Sequence, residues 1–265
     1  MDAILFDLDD TLIVVEPAAA AAFAATAAAA AGVHPQLHPS RLATAARTRA
    51  RALWHAAPDH AYWVQIGISS WEALWCRWDG VSDPIVRTRR WAAGYGREAW
   101  RLALAEQGIE DADLAGELAR RFGEERRARH LLFTDAGPAV RALAATHRLA
   151  VVTNGAGCLQ REKPDASGLA ASFDAIVISG DVGAGKPDPR IFIEARRRLG
   201  NPGRVTVVGD SYRKDVTGAL AAGLDAVWLN RAGAEPPPGA GRRTAPEIAS
   251  LRELAQALSG DRTRI

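Results

Sequence analysis

The residues best equipped for chemistry lie within the first twelve. Asp7, Asp9, Asp10 and Thr11 follow directly on the apolar run Ala3-Ile4-Leu5-Phe6. Three carboxylates this close repel one another, so a cation is expected to hold them ionised. An apolar run without alternation suits a strand buried on both faces, as in a parallel sheet. Open α/β sheets bind ligands outside the carboxyl ends of such strands. Asp7 and Asp9 are therefore expected in a crevice where a metal and a reacting group meet. An acidic turn capping a helix would use the same residues, and this stretch alone leaves both readings open.

Polar groups recur after each later apolar run. Thr153-Asn154-Gly155 follows Leu149–Val152, and Gly185-Lys186-Pro187-Asp188 comes after Ala175–Ile178 and Gly180-Asp181. Gly209-Asp210-Ser211, with Asp215 close behind, follows Val205–Val208, and Ala226–Leu229 is a fifth run. Helical patterns at about 135–147, 158–170, 188–199 and 213–222 separate them, and strand–helix alternation of this kind predicts βαβ units. The strand ends should bring Thr153, Lys186, Asp210 and Asp215 to one edge with Asp7 and Asp9. Carboxylates without His or Cys suit a hard cation, Mg²⁺ above all. Lysine, hydroxyl and backbone N–H groups suit phosphate oxygens. The combination suits phosphoryl transfer, where catalysis is mainly positioning and charge stabilisation.

Between the first two runs the periodicity is helical. Residues 17–30 are mostly alanine and open with Pro17, Ser40 reads as the N-cap of a helix to about His55, and Trp71, Trp75 and Trp78 are spaced to share one helix face. Pro84 and the Gly94/Gly96 pair read as breaks. A loop this long without structure is implausible. The chain is therefore expected to hold an α/β core of residues 1–14 and 132–265, Rossmann-like with a parallel sheet. An all-helical domain of residues 15–131 is inserted just after the carboxylates, where it can act as a lid. Pro236-Pro237-Pro238-Gly239 reads as a loop and residues 246–258 as a closing helix. Seven of the eight tryptophans fall in the insert. A ring-packed interior is the favoured reading, and stacking on a sugar or base the sharper one. Arg87, Arg89 and Arg90 read as a solvated face, or else as contacts to a second anionic group of a substrate.

At 265 residues, 48% hydrophobic and 24% charged, the composition is that of an ordinary globular protein. A net charge of +2 without a basic stripe argues against nucleic acid. Lysine is scarce: Lys163, Lys186 and Lys214 stand in an arginine-rich chain, which hints that an ammonium is specifically wanted. Cys76 and Cys158 form no C-x-x-C. No secretory pattern is seen at the start and no apolar run of transmembrane length is expected, so the reading is a cytoplasmic protein without a membrane partner. Gly180 to Lys186 fits most of a P-loop, but Pro187 stands where a Mg²⁺-binding Ser or Thr is required.

Taken together, Asp7-Leu8-Asp9-Asp10-Thr11, Thr153, Lys186 and Asp210 with Asp215 resemble the four motifs of the haloacid dehalogenase-like superfamily, in order and in strand context. The insert resembles its type-one (C1) cap. Val151-Thr153-Asn154-Gly155, Gln160, Ser179–Gly183 and Lys186–Pro189 are similar to the branch holding nucleotidases and N-acylneuraminate-9-phosphate phosphatase. The resemblance implies a Mg²⁺-dependent phosphatase of a small phosphorylated metabolite, such as a sugar phosphate or nucleotide. It implies Asp7 as nucleophile, Asp9 as general acid and base, and Thr153, Asn154 and Lys186 on the phosphoryl group. It implies Asp7, the Asp9 carbonyl, Asp210 and Asp215 around the metal, and a monomer or homodimer. A phosphosugar mutase of the β-phosphoglucomutase type is an alternative. A 2-haloacid dehalogenase, which needs no acid in the Asp9 position, and a silent binding protein rank lower.

Overall fold

The computed structural model describes residues 1–238 and 245–260. They divide into two compact units: Met1–Val14 with the chain from Leu131 onward, and Val15–His130. Strand β1 (Ala3–Phe6) is buried at every position. Directly after it the Leu8 carbonyl accepts from the N–H groups of Leu12 (2.9 Å) and Ile13 (3.0 Å). Asp10 N–H donates back to the Ile13 carbonyl (2.8 Å), closing a tight turn. Asp10 takes φ +60°, a left-handed conformation that aspartate tolerates better than most residues. Ile13 bridges Leu132 in antiparallel fashion, so the chain leaves and re-enters the core unit side by side.

In the inserted unit, α1 (Glu16–Val33) buries Ala18, Ala19, Ala22, Phe23, Thr26, Ala27 and Ala30, one stripe at helical spacing. Phe23 lies 4.3 Å from the ring of Phe122 and 6.1 Å from that of Trp100. Contrary to expectation, α1 is by length and composition apolar enough to cross a membrane. Alanine supplies that hydropathy, and the buried stripe is that of a core helix. Helix α2 (Pro39–Trp54) is capped at His38 without a side-chain bond, so Ser40 is not the N-cap. Pro39 already has a helical φ and opens the helix two residues earlier than a Ser40 cap would. Helices α3 (His60–Ile66) and α4 (Ser70–Ala73) follow. Trp71, Trp75 and Trp78 do not share a helix: α4 is a single turn held by a Ser69–Glu72 capping box, and Trp78 has φ +53°. Helix α5 (Asp83–Ala105) has Pro84 in its first turn and runs straight through Gly94 and Gly96. A Cβ on Gly96 would sit 3.3 Å from that of Ala119, so this glycine serves close packing on α6 (Ala112–Arg127) and breaks nothing. Trp54, Trp63, Trp75, Trp78 and Trp100 are buried. Arg87 is paired with Asp59 at 2.8 and 2.9 Å, and Arg89 donates to the carbonyls of Trp78 and Gly80.

The core unit continues with α7 (Ala136–Ala144), β2 (Arg148–Thr153), α8 (Gly157–Ala166), β3 (Ala175–Ile178), α9 (Ser179–Val182), α10 (Pro189–Arg198) and β4 (Val205–Gly209). A π-turn at Tyr212–Val216 leads into α11 (Thr217–Ala221), then β5 (Asp225–Leu229), β6 (Glu247–Ile248) and α12 (Leu254–Gly260). All strands are parallel, in the order β3-β2-β1-β4-β5-β6. The chain steps outward from β1 to β3, then crosses back to the other side of β1 with β4. That reversal makes a crevice beyond the ends of β1 and β4. Phe6 is level with both Val151 and Val208, so Asp7, Thr153 and Asp210 leave the sheet at the same edge.

Residues 246–258 are not one helix. Glu247–Ile248 extends the sheet, with Trp228 N–H donating to the Pro246 carbonyl and Asn230 N–H to that of Ile248, both at 2.8 Å. Satisfying the open edge of β5 outweighs the local helix pattern, and helical turns begin only at Leu251. Gly239 of the proline-rich loop lies outside the described residues.

Asp135, just before α7, ties this end of the sheet together. Its carboxylate accepts two bonds from Arg231 (2.9 Å each), one from the Ser250 hydroxyl (2.7 Å) and one from Leu251 N–H (2.9 Å). Burial works to raise its pKa, but Arg231, Ser250 and Leu251 outweigh it and bring the group from 3.8 down to about 2. A depressed carboxyl stabilises the fold above its unfolded pKa, and that contribution drains away as the pH falls from about 4 to about 2. Asp135→Asn is expected to cost about 2 kcal/mol at pH 7. It should also flatten the acid limb of stability in that window, as read by urea denaturation at stepped pH.

Candidate active site

Lys186 is the hub of the strand-end crevice. Its ammonium, 5% exposed as a residue, donates to Asp7 Oδ1 (2.5 Å) and Asp215 Oδ1 (2.6 Å). The backbone that carries it is held by Asn154, whose Oδ1 accepts from Lys186 N–H (2.7 Å) and whose Nδ2 donates to the Lys186 carbonyl (3.0 Å). The Asn154 side chain is thus spent on orienting Lys186, which leaves its backbone N–H as the group that can meet an anion. Two glycines make the crowding possible. A Cβ on Gly209 would lie 2.3 Å from Asp215 Cγ, and one on Gly218 would lie 3.0 Å from Pro187 Cα.

Asp7, Asp210 and Asp215 each offer a carboxylate oxygen within 4.8 Å of the others. Thr11, fully buried, links two of them: its hydroxyl donates to Asp7 Oδ2 (2.8 Å) and accepts from Asp210 N–H (3.1 Å). Trp228 Nε1 fixes the Asp210 carbonyl (2.9 Å), and Ser211 N–H donates to Asp215 Oδ2 (3.0 Å). Burial pushes Asp7 up to about 8, with Lys186 opposing and Asp215 and Asp210 adding to the rise. Burial and then Asp215 push Asp210 up to about 6. Burial works against the Lys186 ammonium, yet Asp215 and Asp7 hold its pKa above the ordinary value. Three carboxylates share one ammonium, and the site is short of positive charge. An all-oxygen donor set with this deficit fits a hard divalent cation.

The side chain of Asp9 stands outside that cluster. Its two oxygens accept from Lys163 Nζ at 2.8 and 2.7 Å, and Oδ2 also accepts from Gln160 Nε2 at 2.9 Å. The same Gln160 amide reaches Thr153 Oγ1 (2.7 Å) and the Asn154 carbonyl (2.5 Å). Gln160 and Lys163 lie three apart on α8, on one helix face, and neither is exposed to solvent.

A family described as haloacid dehalogenase-like hydrolase matches residues 1–223. The chain belongs to that family. It is 39% identical over 236 residues to a phosphoserine phosphatase of Thermus thermophilus, spanning 87% of this chain and 89% of that protein. It is also 39% identical over 121 residues to the pyrimidine 5′-nucleotidase YjjG of Escherichia coli, spanning 44% of this chain and 52% of that one. A solved 2-haloacid dehalogenase of Pseudomonas syringae shares 28% identity and superposes with a TM-score of 0.62, covering 98% of this chain and 99% of that one.

In this haloacid dehalogenase-like hydrolase, Lys186 bonds Asp7 and Asp215, Asp210 lies beside those two carboxylates, and Gln160 joins Asp9 to Thr153. Three features escaped the sequence reading: the Thr11 hydroxyl as a hub, the Asn154 side chain as a clasp on Lys186, and Lys163 beneath Asp9. The scarcity of lysine was the signal for Lys163, since two of the three lysines are buried on aspartates while Lys214 is exposed. Thr11→Val keeps the shape of the side chain but leaves the Asp210 N–H and Asp7 Oδ2 without their partner. It is expected to destabilise the protein by about 1–3 kcal/mol, the cost of stranding a buried donor, as read by urea denaturation.

Proposed function

We propose that the protein is a Mg²⁺-dependent phosphoric monoester hydrolase acting on a small phosphorylated metabolite, a sugar phosphate or nucleotide among the candidate classes. The observation that carries this reading is the pair of differently held carboxylates: Asp7 in a cationic, metal-fitting cluster and Asp9 set apart on Lys163 and Gln160. Membership of the family and the phosphatase names of its relatives support it. Asp7, Asp210, Asp215 and the Asp9 carbonyl would hold the ion. When bound, Mg²⁺ supplies the positive charge that lets a carboxylate approach a phosphate and offsets the charge that develops on it.

In the first step Asp7 Oδ attacks phosphorus, the bond to the substrate oxygen breaks, and Asp9 gives that oxygen a proton. The phosphoryl group is carried as an aspartyl phosphate on Asp7. In the second step water attacks phosphorus, Asp9 takes its proton, and phosphate leaves with Asp7 regenerated. Lys186, Thr153 and the Asn154 N–H steady the transferred group. A departing halide needs no proton, so the built support under Asp9 speaks against dehalogenation. The helical unit, inserted right after the carboxylate turn, is proposed to select the substrate.

A panel of sugar phosphates, nucleoside monophosphates, phosphoserine and p-nitrophenyl phosphate, assayed with Mg²⁺ and with EDTA, is expected to show metal-dependent phosphate release. Turnover indifferent to chelation, or none, defeats the reading. Lys186→Met is expected to lower kcat/KM by about two orders of magnitude or more, the scale for one lost charge partner. Near wild-type turnover would place Lys186 outside the chemistry. Asp9→Asn should fail at the first step on alkyl phosphates, where an acid is worth about two to four orders of magnitude. On p-nitrophenyl phosphate, whose phenolate leaves unaided, it should give a stoichiometric burst and then stall. Equal losses on both substrates without a burst would refute the acid–base assignment.

A further inference from the structure

Lys163 has no part in the chemistry just described, yet it is the more deeply buried of the two site lysines, with no solvent exposure. An ammonium removed from water costs several kcal/mol unless well-placed partners repay it. Its Nζ donates to both oxygens of the Asp9 carboxylate. Lys186 bridges the carboxylates of two residues. The Asp9 side chain keeps 24% of its surface exposed while Lys163 is closed to solvent. Gln160 adds a third bond to Asp9 and ties it to Thr153 Oγ1 and the Asn154 carbonyl.

We propose that Lys163 is a positioning residue: with Gln160 it fixes the Asp9 carboxyl in one orientation, in register with Thr153, so that the same group serves both steps of the reaction. The inference rests on the acid–base reading of Asp9 above. A group that gives a proton in one step and takes one in the next must occupy the same place twice. Displacement by about 1 Å is enough to cost about a hundredfold in rate. An ungripped aspartate on a turn has several staggered rotamers open to it, most of them unproductive. Lys163 bonds to neither the Asp7 nucleophile nor Thr153 in the contacts described, and its effect on the reaction runs through the Asp9 carboxyl that it holds.

Lys163→Met, Lys163→Arg and Asp9→Asn are compared with wild type on an alkyl phosphate turned over by the enzyme and on p-nitrophenyl phosphate, with stopped-flow detection. Lys163→Met is expected to lower kcat on the alkyl phosphate by about tenfold to a hundredfold with KM within about threefold. On p-nitrophenyl phosphate it should show a burst followed by a slowed steady state, a milder form of the Asp9→Asn behaviour. Lys163→Arg, which keeps a cation at the site, should recover part of the loss. Adding Lys163→Met to Asp9→Asn removes both charges together and should cost no further activity. That double variant also covers the case in which the single methionine variant does not fold.

Equal losses on both substrates without a burst, or a further loss of tenfold in the Asp9→Asn background, overturn the inference while leaving the acid–base reading intact. If Asp9→Asn itself shows neither a leaving-group split nor a burst, the acid–base reading has failed and the inference falls with it. The two failures are therefore separable in one set of measurements.

Discussion

The structure turns on one buried ammonium. Lys186 donates to Asp7 and Asp215, which follow β1 and β4, the two strands flanking the chain reversal. Burying that charge is unfavourable unless both carboxylates are in place. The surrounding chain is shaped to put them there. Asn154, at the end of β2, clasps the backbone of Lys186 from both sides. Gly209 leaves space for the Asp215 side chain, and Gly218 lets α11 close on Pro187. Three of the six strands thus end on a single cation, and the three-carboxylate cluster is what remains over for a second one.

Most of the core and its strand-end residues were legible because parallel strands buried on both faces read as uninterrupted apolar runs. Once β1 and β4 are neighbours, the position of Asp7 beside Asp210 follows from register alone. What was not legible depends on contacts made across the chain. The two-residue strand β6 exists because β5 has an edge to satisfy, and nothing local marks it. The spacing of Trp71, Trp75 and Trp78 imitates a helix face, but Ser69 and Glu72 cap a single turn and the later two rings reach the interior from irregular backbone. Gly94 and Gly96 look like punctuation in one dimension, yet α5 runs through both, and Gly96 serves close packing on α6. Gln160 and Lys163 sit on a helix whose partner, Asp9, lies more than a hundred residues earlier.

The helical unit solves a separate packing problem. An alanine stripe on α1 lets it pack closely against α2 and α6, and the bulk that alanine does not supply comes from rings: Phe23, Trp100 and Phe122 at one place, Trp54, Trp63 and Trp78 at another. Among these rings Trp63 keeps a polar partner, its Nε1 donating to the Thr88 hydroxyl (2.8 Å). A unit with its own filled interior can be inserted at a single point between Val14 and Leu131 without disturbing the hydrogen bonds of the sheet.

Why lysine stands at the two buried positions on aspartates in this arginine-rich chain follows from the same geometry. A guanidinium is a flat fork suited to one carboxylate met edge-on, as Arg231 meets Asp135. Lys186 must instead reach oxygens of two residues that approach from different strands, which a compact ammonium with rotatable donors can do. Lys163 must fit beneath Asp9 in a space closed to solvent, and an ammonium on a narrow stem needs less of it than a guanidinium. Each lysine neutralises one of the two carboxylates that the reaction would use, Lys163 from α8 between β2 and β3 and Lys186 from the connection between β3 and β4. The first carboxylate is thereby tied to the metal-fitting cluster and the second kept out of it. Two aspartates two residues apart, on one turn, acquire different surroundings and hence different capabilities.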